Sequence, residues 1–157
     1  MVTLGISTNT RLLGLAIIKQ NSLVDYSIHL HKQSWSAGKA TMIISSLEPC
    51  VRRYSIKRVV LSIPYAHHQT EAFRHLIYAI REYFEAKDIP VYAETPEALD
   101  SLYPPGEKKT KKVLMHALTV RYPQLTLCYQ KELRNKKKYY SKLFEAVAVA
   151  SFSQEGK

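Results

Sequence analysis

The sequence predicts an α/β domain with a mixed sheet covered by helices. Three observations lead to this prediction. Apolar runs joined by short polar turns open the chain, later apolar runs alternate with helically spaced stretches, and the 157 residues are 46% hydrophobic and 23% charged. A chain of this length and composition can bury one core without metal or disulfide support. We therefore expect one domain over residues 1–157.

The beginning of the chain predicts an antiparallel meander of three strands. Val2–Ser7 has the character of a short buried strand and is followed by a Thr-Asn-Thr turn. Leu12–Lys19 is a second apolar strand, and a tight Asn-Ser turn leads into a third strand, Leu23–His31. Strands joined by turns this short pair antiparallel.

Helical and strand-like segments alternate after the meander. Helical spacing covers Lys39–Tyr54, Gln69–Ala86, Lys109–Arg121 and Lys138–Phe152, and strand-like runs cover Arg58–Ile63 and Pro90–Ala93. The Thr-Pro-Glu sequence at 95–97 also begins a helix, with a capping residue, a proline and an acid in the first turn. Strands reached through helical crossovers run parallel, so the whole order predicts a mixed five-stranded sheet.

Three segments resemble one family with this order of elements. LGISTNTRLLGLAII (4–18) is similar to the opening of RuvC-type Holliday-junction resolvases, where Leu-Gly-Ile-Asp precedes a turn and a glycine-containing second strand. RRYSIKRVVLSIP (52–64) resembles their fourth strand, and KLFEAVAVASF (142–152) resembles their C-terminal helix. The resemblance implies a ribonuclease H-like fold.

The resemblance also implies a catalytic site, and most of its acids are replaced here. Such nucleases hold two divalent ions about 4 Å apart with carboxylates. Ser7 stands where the family has an aspartate, and Ser62 stands where the fourth strand supplies a glutamate. Glu145 keeps the acid of the C-terminal helix, with Lys142 or Ser141 one turn earlier. We therefore expect a degenerate active site that binds no metal.

An alternative acidic site remains open at this point. Glu94 and Glu145 are the candidate catalytic residues of that site, because a related branch of the fold has acids near its fifth strand. Only this alternative requires Mg²⁺ as a cofactor. The other nearby polar residues have simpler interpretations. Glu97 is an acid at a helix start, and Asp100 is an acid on an exposed helix face. His67 and His68 are exposed loop residues.

Positive charge is concentrated in the last third of the chain. The net charge is +10; residues 1–105 hold eleven Lys and Arg against nine acids, and residues 106–157 hold twelve against four. Clustered cations favour a polyanionic partner such as nucleic acid, and the neighbouring Tyr139 and Tyr140 could stack on bases. Surface solvation is the alternative explanation. The candidate nucleic-acid-binding residues are Lys108, Lys109, Lys111, Lys112, Lys131, Arg134, Lys136, Lys137 and Lys138.

Together these patterns predict a non-catalytic or nearly inactive ribonuclease H-like domain that binds DNA or RNA. Two other functions stay open: a metal-dependent nuclease with displaced acids, and a structural interaction module with a protein partner or a second copy. Cys50 and Cys128 are too few and too far apart for a disulfide scaffold or a four-cysteine zinc site. Because the sequence has neither a signal peptide nor a membrane-length apolar run, we expect a cytoplasmic protein without membrane contact.

Overall fold

The computed structural model describes residues 1–135 and 138–155, with side chains to 135 and from 138 to 153. Its strands are β1 (Val2–Thr8), β2 (Leu12–Lys19), β3 (Ser22–Leu30), β4 (Arg58–Ser62) and β5 (Val91–Glu94). Its α-helices are α1 (Ala37–Ser45), α2 (Glu48–Arg53), α3 (Glu71–Glu85), α4 (Lys111–Arg121), α5 (Thr126–Arg134) and α6 (Ser141–Glu155). No helix of the described residues is long and apolar enough to cross a membrane.

The five strands form one sheet in the order β3-β2-β1-β4-β5. β1 pairs antiparallel with β2, and β2 pairs antiparallel with β3, as the short turns predict. β4 pairs parallel with β1 on its other side, and β5 pairs parallel with β4. The predicted mixed α/β fold is therefore confirmed, with β1 at the centre.

The central strand β1 is buried along its whole length because helices cover both faces of the sheet. One face packs on α1 and α3 through a cluster that includes Leu4, Ile6, Ile43 and Leu76. The opposite face packs on α4 and α6 through a second cluster, which includes Ala16, Val60, Leu118, Phe144 and Val147. Alternating side chains of the same strands supply both cores.

Two glycines let the backbone of α6 lie directly on the sheet. A Cβ atom at Gly5 would be 2.1 Å from the carbonyl oxygen of Ala146, and one at Gly14 would be 2.3 Å from the carbonyl oxygen of Lys142. Neither distance leaves room for a side chain. The first turns of α6 are thereby held close to the carboxyl end of β1.

Two helix predictions were wrong in detail, and one helix was not predicted. The predicted helix Lys39–Tyr54 is two helices, because α1 ends at Ser45 and α2 begins at Glu48 with Pro49 in its first turn. The segment after Thr95 is a 3-10 helix, Pro96–Leu102, in which Thr95 makes no side-chain cap. Helix α5 was not predicted, because Pro123 precedes it and its nine residues are mostly polar. Other 3-10 turns are Ala66–His68 and Pro123–Leu125.

Candidate functional site

A row of polar residues crosses the sheet near the carboxyl ends of its parallel strands. Ser7 of β1 is in register with Ser62 of β4, and Ser62 is in register with Glu94 of β5. On the other side, Ser7 pairs with Gly14 of β2. Ligand sites of α/β proteins lie at this edge of the sheet. Ser7 and Ser62 are therefore neighbours, at the two strand positions where the resemblance places acids.

Helix α6 brings Glu145 to this row. The Ser7 hydroxyl, which is buried, donates a hydrogen bond of 2.7 Å to Oε1 of Glu145. The end of β1 therefore contacts α6 at Glu145, where the resemblance places the acid of the C-terminal helix. We call Ser7, Ser62, Lys142 and Glu145 the strand-end site.

Two lysines neutralise Glu145. Nζ of Lys142, one turn earlier on α6, lies 2.9 Å from Oε1, and Nζ of Lys111, at the start of α4, lies 3.6 Å from Oε2. The side chains of Lys142 and Glu145 are only 22% and 21% exposed, whereas that of Lys111 is 71% exposed. The pair within α6 is therefore shielded from water more than the contact from α4.

The pKa of Glu145 results from opposing effects. Burial is the largest single effect and raises it, whereas the Lys142 ammonium and the hydrogen bonds from Ser7 and Lys142 lower it. Lys111 lowers it further, so the pKa lies below its ordinary value of 4.5. Glu145 is consequently a carboxylate at neutral pH, and the strand-end site holds a paired anion.

A buried glutamate holds the start of α6 in place. Glu132 of α5 is fully buried, and its Oε1 accepts hydrogen bonds from the backbone N–H groups of Tyr139 and Tyr140 at 3.1 and 3.0 Å. Free N–H groups at a helix start favour a negative charge. The helix that the sequence did not predict, α5, therefore orients the helix that carries Lys142 and Glu145.

Several of the candidate nucleic-acid-binding residues meet near the strand-end site. Lys111, Lys112 and Lys138 line one cavity, called here the lysine cavity, together with Met115, Glu132, Leu133 and Ser141. The cavity brings together the starts of α4 and α6 with the end of α5. Lysines from two basic segments therefore line one cavity, and Lys111 connects that cavity to Glu145.

The remaining basic candidates have other positions. Lys109 pairs with Asp100 at 2.8 Å, and both side chains are 53% exposed. Lys108 is exposed, and Lys131 and Arg134 are exposed on α5. Lys136 and Lys137 lie outside the described residues.

The sequence analysis noted Lys142 only as a residue that stands where the family has an acid. In the structure it contacts Glu145 directly. Its three-residue spacing from Glu145 on one helix was the signal that could have predicted this contact.

The two acids of the alternative site lie over different strands of the sheet. Glu94 is two strands from Ser7, which corresponds to about 10 Å between backbones. It lines a different cavity with Arg58, Tyr92 and Phe152. Within residues 1–135 and 138–155, no group of three or more His, Cys, Asp or Glu residues is arranged to hold a metal ion.

The other polar residues considered near this edge match their simpler interpretations. Glu97 lies in the first turn of the 3-10 helix, and Asp100 is exposed on it. His67 and His68 are exposed, and their ring centroids lie 4.1 Å apart. The ring of Tyr65 stacks on His67 at 5.9 Å. These three rings form an exposed aromatic group after β4.

Solved structures share this fold along nearly the whole chain. Thermus thermophilus RuvC in complex with a Holliday junction is 16% identical, with a TM-score of 0.75 over 100% of this chain and 97% of that one. Another Thermus thermophilus RuvC structure is 17% identical, with a TM-score of 0.72 over 99% and 97%. The fowlpox virus resolvase in complex with Holliday junction DNA is 13% identical, with a TM-score of 0.63 over 99% of both chains.

These likenesses, together with the order of strands, establish a ribonuclease H-like fold of the RuvC type. No protein-family model matches the sequence, and no curated protein matches it either. The resemblance read from the three sequence segments is therefore confirmed at the level of the fold.

Proposed function

We propose that this chain is a RuvC-like domain that binds nucleic acid and does not cleave it. One observation carries the proposal: at the strand ends, the acid Glu145 is paired with Lys142 and approached by Lys111. Two ammonium groups beside one carboxylate leave a positive charge where a resolvase needs a strongly negative site.

The donor set of the strand-end site does not fit a two-metal centre. Hydroxyl groups at Ser7 and Ser62 carry no charge that could offset Mg²⁺. Glu145 is a carboxylate, but a hydrogen bond from Ser7 and the Lys142 ammonium already engage its Oε1. Glu94 could supply a second acid only from two strands away. These contacts support a domain without nuclease activity.

The surface around the strand-end site supports binding to a polyanion. Lys111, Lys112 and Lys138 line the lysine cavity beside Glu145, within a segment that holds twelve Lys and Arg against four acids. Phosphate neutralisation by such groups dominates nucleic-acid affinity. Two of the solved structures with this fold are complexes with Holliday junctions, so a branched duplex is the first ligand to test.

The test combines binding and cleavage on labelled junction, duplex and single-stranded DNA. Fluorescence anisotropy at rising salt concentration should give binding whose logarithmic affinity falls linearly with the logarithm of salt concentration. Incubation with Mg²⁺ or Mn²⁺ should give no product above a Glu145→Ala control. The same titration on RNA measures the preference between the two nucleic acids.

Two results would replace the proposal. Metal-dependent cleavage by wild type above the Glu145→Ala control would favour the nuclease with displaced acids, provided that Glu94→Ala also abolishes this cleavage. Absence of nucleic-acid binding even at about 50 mM salt would favour the interaction module, in which the lysines only solvate the surface.

A further inference from the structure

Lys142 is held in place by both its backbone and its side chain. Its carbonyl oxygen lies 2.3 Å from the position of a Cβ at Gly14, so its backbone rests directly on β2. Its side chain is 22% exposed, and its Nζ lies 2.9 Å from Oε1 of Glu145. The ammonium group is therefore paired with Glu145 at the strand-end site and is less exposed than that of Lys111.

Both oxygens of Glu145 face donors. Oε1 accepts from the Ser7 hydroxyl and from Lys142, and Oε2 faces Lys111 at 3.6 Å. A divalent ion bound at Glu145 would have to displace the Lys142 ammonium or lie within a few ångströms of it. Repulsion between a charge of one and a charge of two at that range is unfavourable even at the dielectric constant of water.

We propose that the Lys142 ammonium is the resident cation of the strand-end site and excludes divalent ions from Glu145. Serine instead of an acid at residues 7 and 62 removes ligands, whereas Lys142 places an ammonium group beside Glu145. Restoring the acids on the strands is then insufficient to restore tight metal binding. If the proposed function holds, nucleic-acid binding also needs no divalent ion.

Electron paramagnetic resonance of Mn²⁺ tests this on the full chain without any activity assay. The variants are wild type, Ser7→Asp with Ser62→Glu, and the same pair with Lys142→Asp. We expect no Mn²⁺ bound by wild type, weak binding by the double variant, and binding about tenfold tighter or more in the triple variant. Lys112→Asp in the double background is the matched control, since it adds an equal charge change at an exposed neighbouring lysine.

Lys142→Met in the double background removes the ammonium and keeps a long apolar side chain. It replaces the Lys142→Asp variant in the comparison if that variant does not fold. Far-ultraviolet circular dichroism checks each variant. The proposal would be overturned if Mn²⁺ affinity were equal with and without Lys142. It would also be overturned if Lys112→Asp raised Mn²⁺ affinity as much as Lys142→Asp does. So would Mn²⁺ bound by wild type and released by Glu145→Gln.

The nucleic-acid consequence is measured separately, by junction binding with EDTA and with Mg²⁺. Equal affinity in both supports the proposal, and loss of binding in EDTA contradicts it. A wild type that binds neither Mn²⁺ nor DNA would refute the proposed function while leaving the exclusion of divalent ions supported.

Discussion

The hydroxyl of Ser7 donates a hydrogen bond of 2.7 Å to Oε1 of Glu145, across 138 positions of the chain. The contact joins the end of the central strand to the first turns of the last helix. In a nuclease of this fold, both positions would be acids facing a shared metal. Here a hydroxyl satisfies the carboxylate, and Lys142 neutralises it. The consequences concern stability as well as binding.

Glu145→Gln should destabilise the fold by about 2 kcal/mol at neutral pH, because it leaves the partly buried Lys142 without its counter-charge. The pKa of Glu145 is lowered in the folded state, so its contribution is fully present above the ordinary value of 4.5 and is lost as pH falls through the folded pKa. Urea unfolding between about pH 6 and about pH 3 should show this loss in wild type and a smaller loss in Glu145→Gln.

Glu107→Gln is the matched control, since Glu107 is exposed in the loop before α4. It should leave both the stability and its pH dependence close to wild type. An unchanged pH profile in Glu145→Gln would contradict the assigned electrostatics.

Alanine at Lys111, Lys112 and Lys138, which line the lysine cavity, should weaken binding to every DNA sequence similarly. If each lysine contacts one phosphate, as the proposed function requires, the salt slope should flatten by about 3 units. The measurement is fluorescence anisotropy across a salt series. Lys19, Lys57 and Lys87 form the control triple: all are exposed, and they lie at the opposite end of the sheet. Equal effects of the two triples would mean that binding is not localised at the lysine cavity.

Gly5→Ala should cost about 2 kcal/mol or more, because the added Cβ would lie 2.1 Å from a backbone oxygen of α6, and neither β1 nor α6 can move cheaply. Gly38→Ala is the control: its nearest new contact is 3.6 Å, and it lies in the first turn of α1. That change should stabilise by about 0.5–1 kcal/mol. Chemical denaturation measures both, and similar stabilities of the two variants would refute the tight contact between α6 and the sheet.

Cys50 should react slowly with thiol reagents in the native protein. Burial raises the pKa of its thiol to about 11, with Asp25 adding to the effect, against an ordinary value of 9.0. The thiolate is the reactive form, so its rate at neutral pH should be about a hundredfold below that of an unfolded thiol. Disulfide-exchange kinetics on a Cys128→Ser variant, with and without urea, measure the difference. A native rate equal to the rate in urea would contradict the burial of Cys50.

Much of the fold could be predicted because the relevant patterns are local. The continuous apolar run of β4 and the three- and four-residue spacing of α3 each follow from which side chains are buried in one element. Helix α5 could not be predicted in this way, because its nine residues are mostly polar and Glu132 is its only fully buried side chain. Its role is to hold α6, and that role depends on a contact between elements.

The sequence by itself determined the missing charges: no acid at residues 7 and 62, one acid at residue 145, and a lysine-rich last third. Only the tertiary structure decided that Lys142 neutralises the remaining acid, that Lys111 joins it from another helix, and that Glu94 stays two strands away. Charge belongs to a residue type and can be read from the chain. The interaction energy of a charge depends on its distance from other charges and on the exclusion of water. Both are set only by the packing of α4 and α6 against the sheet.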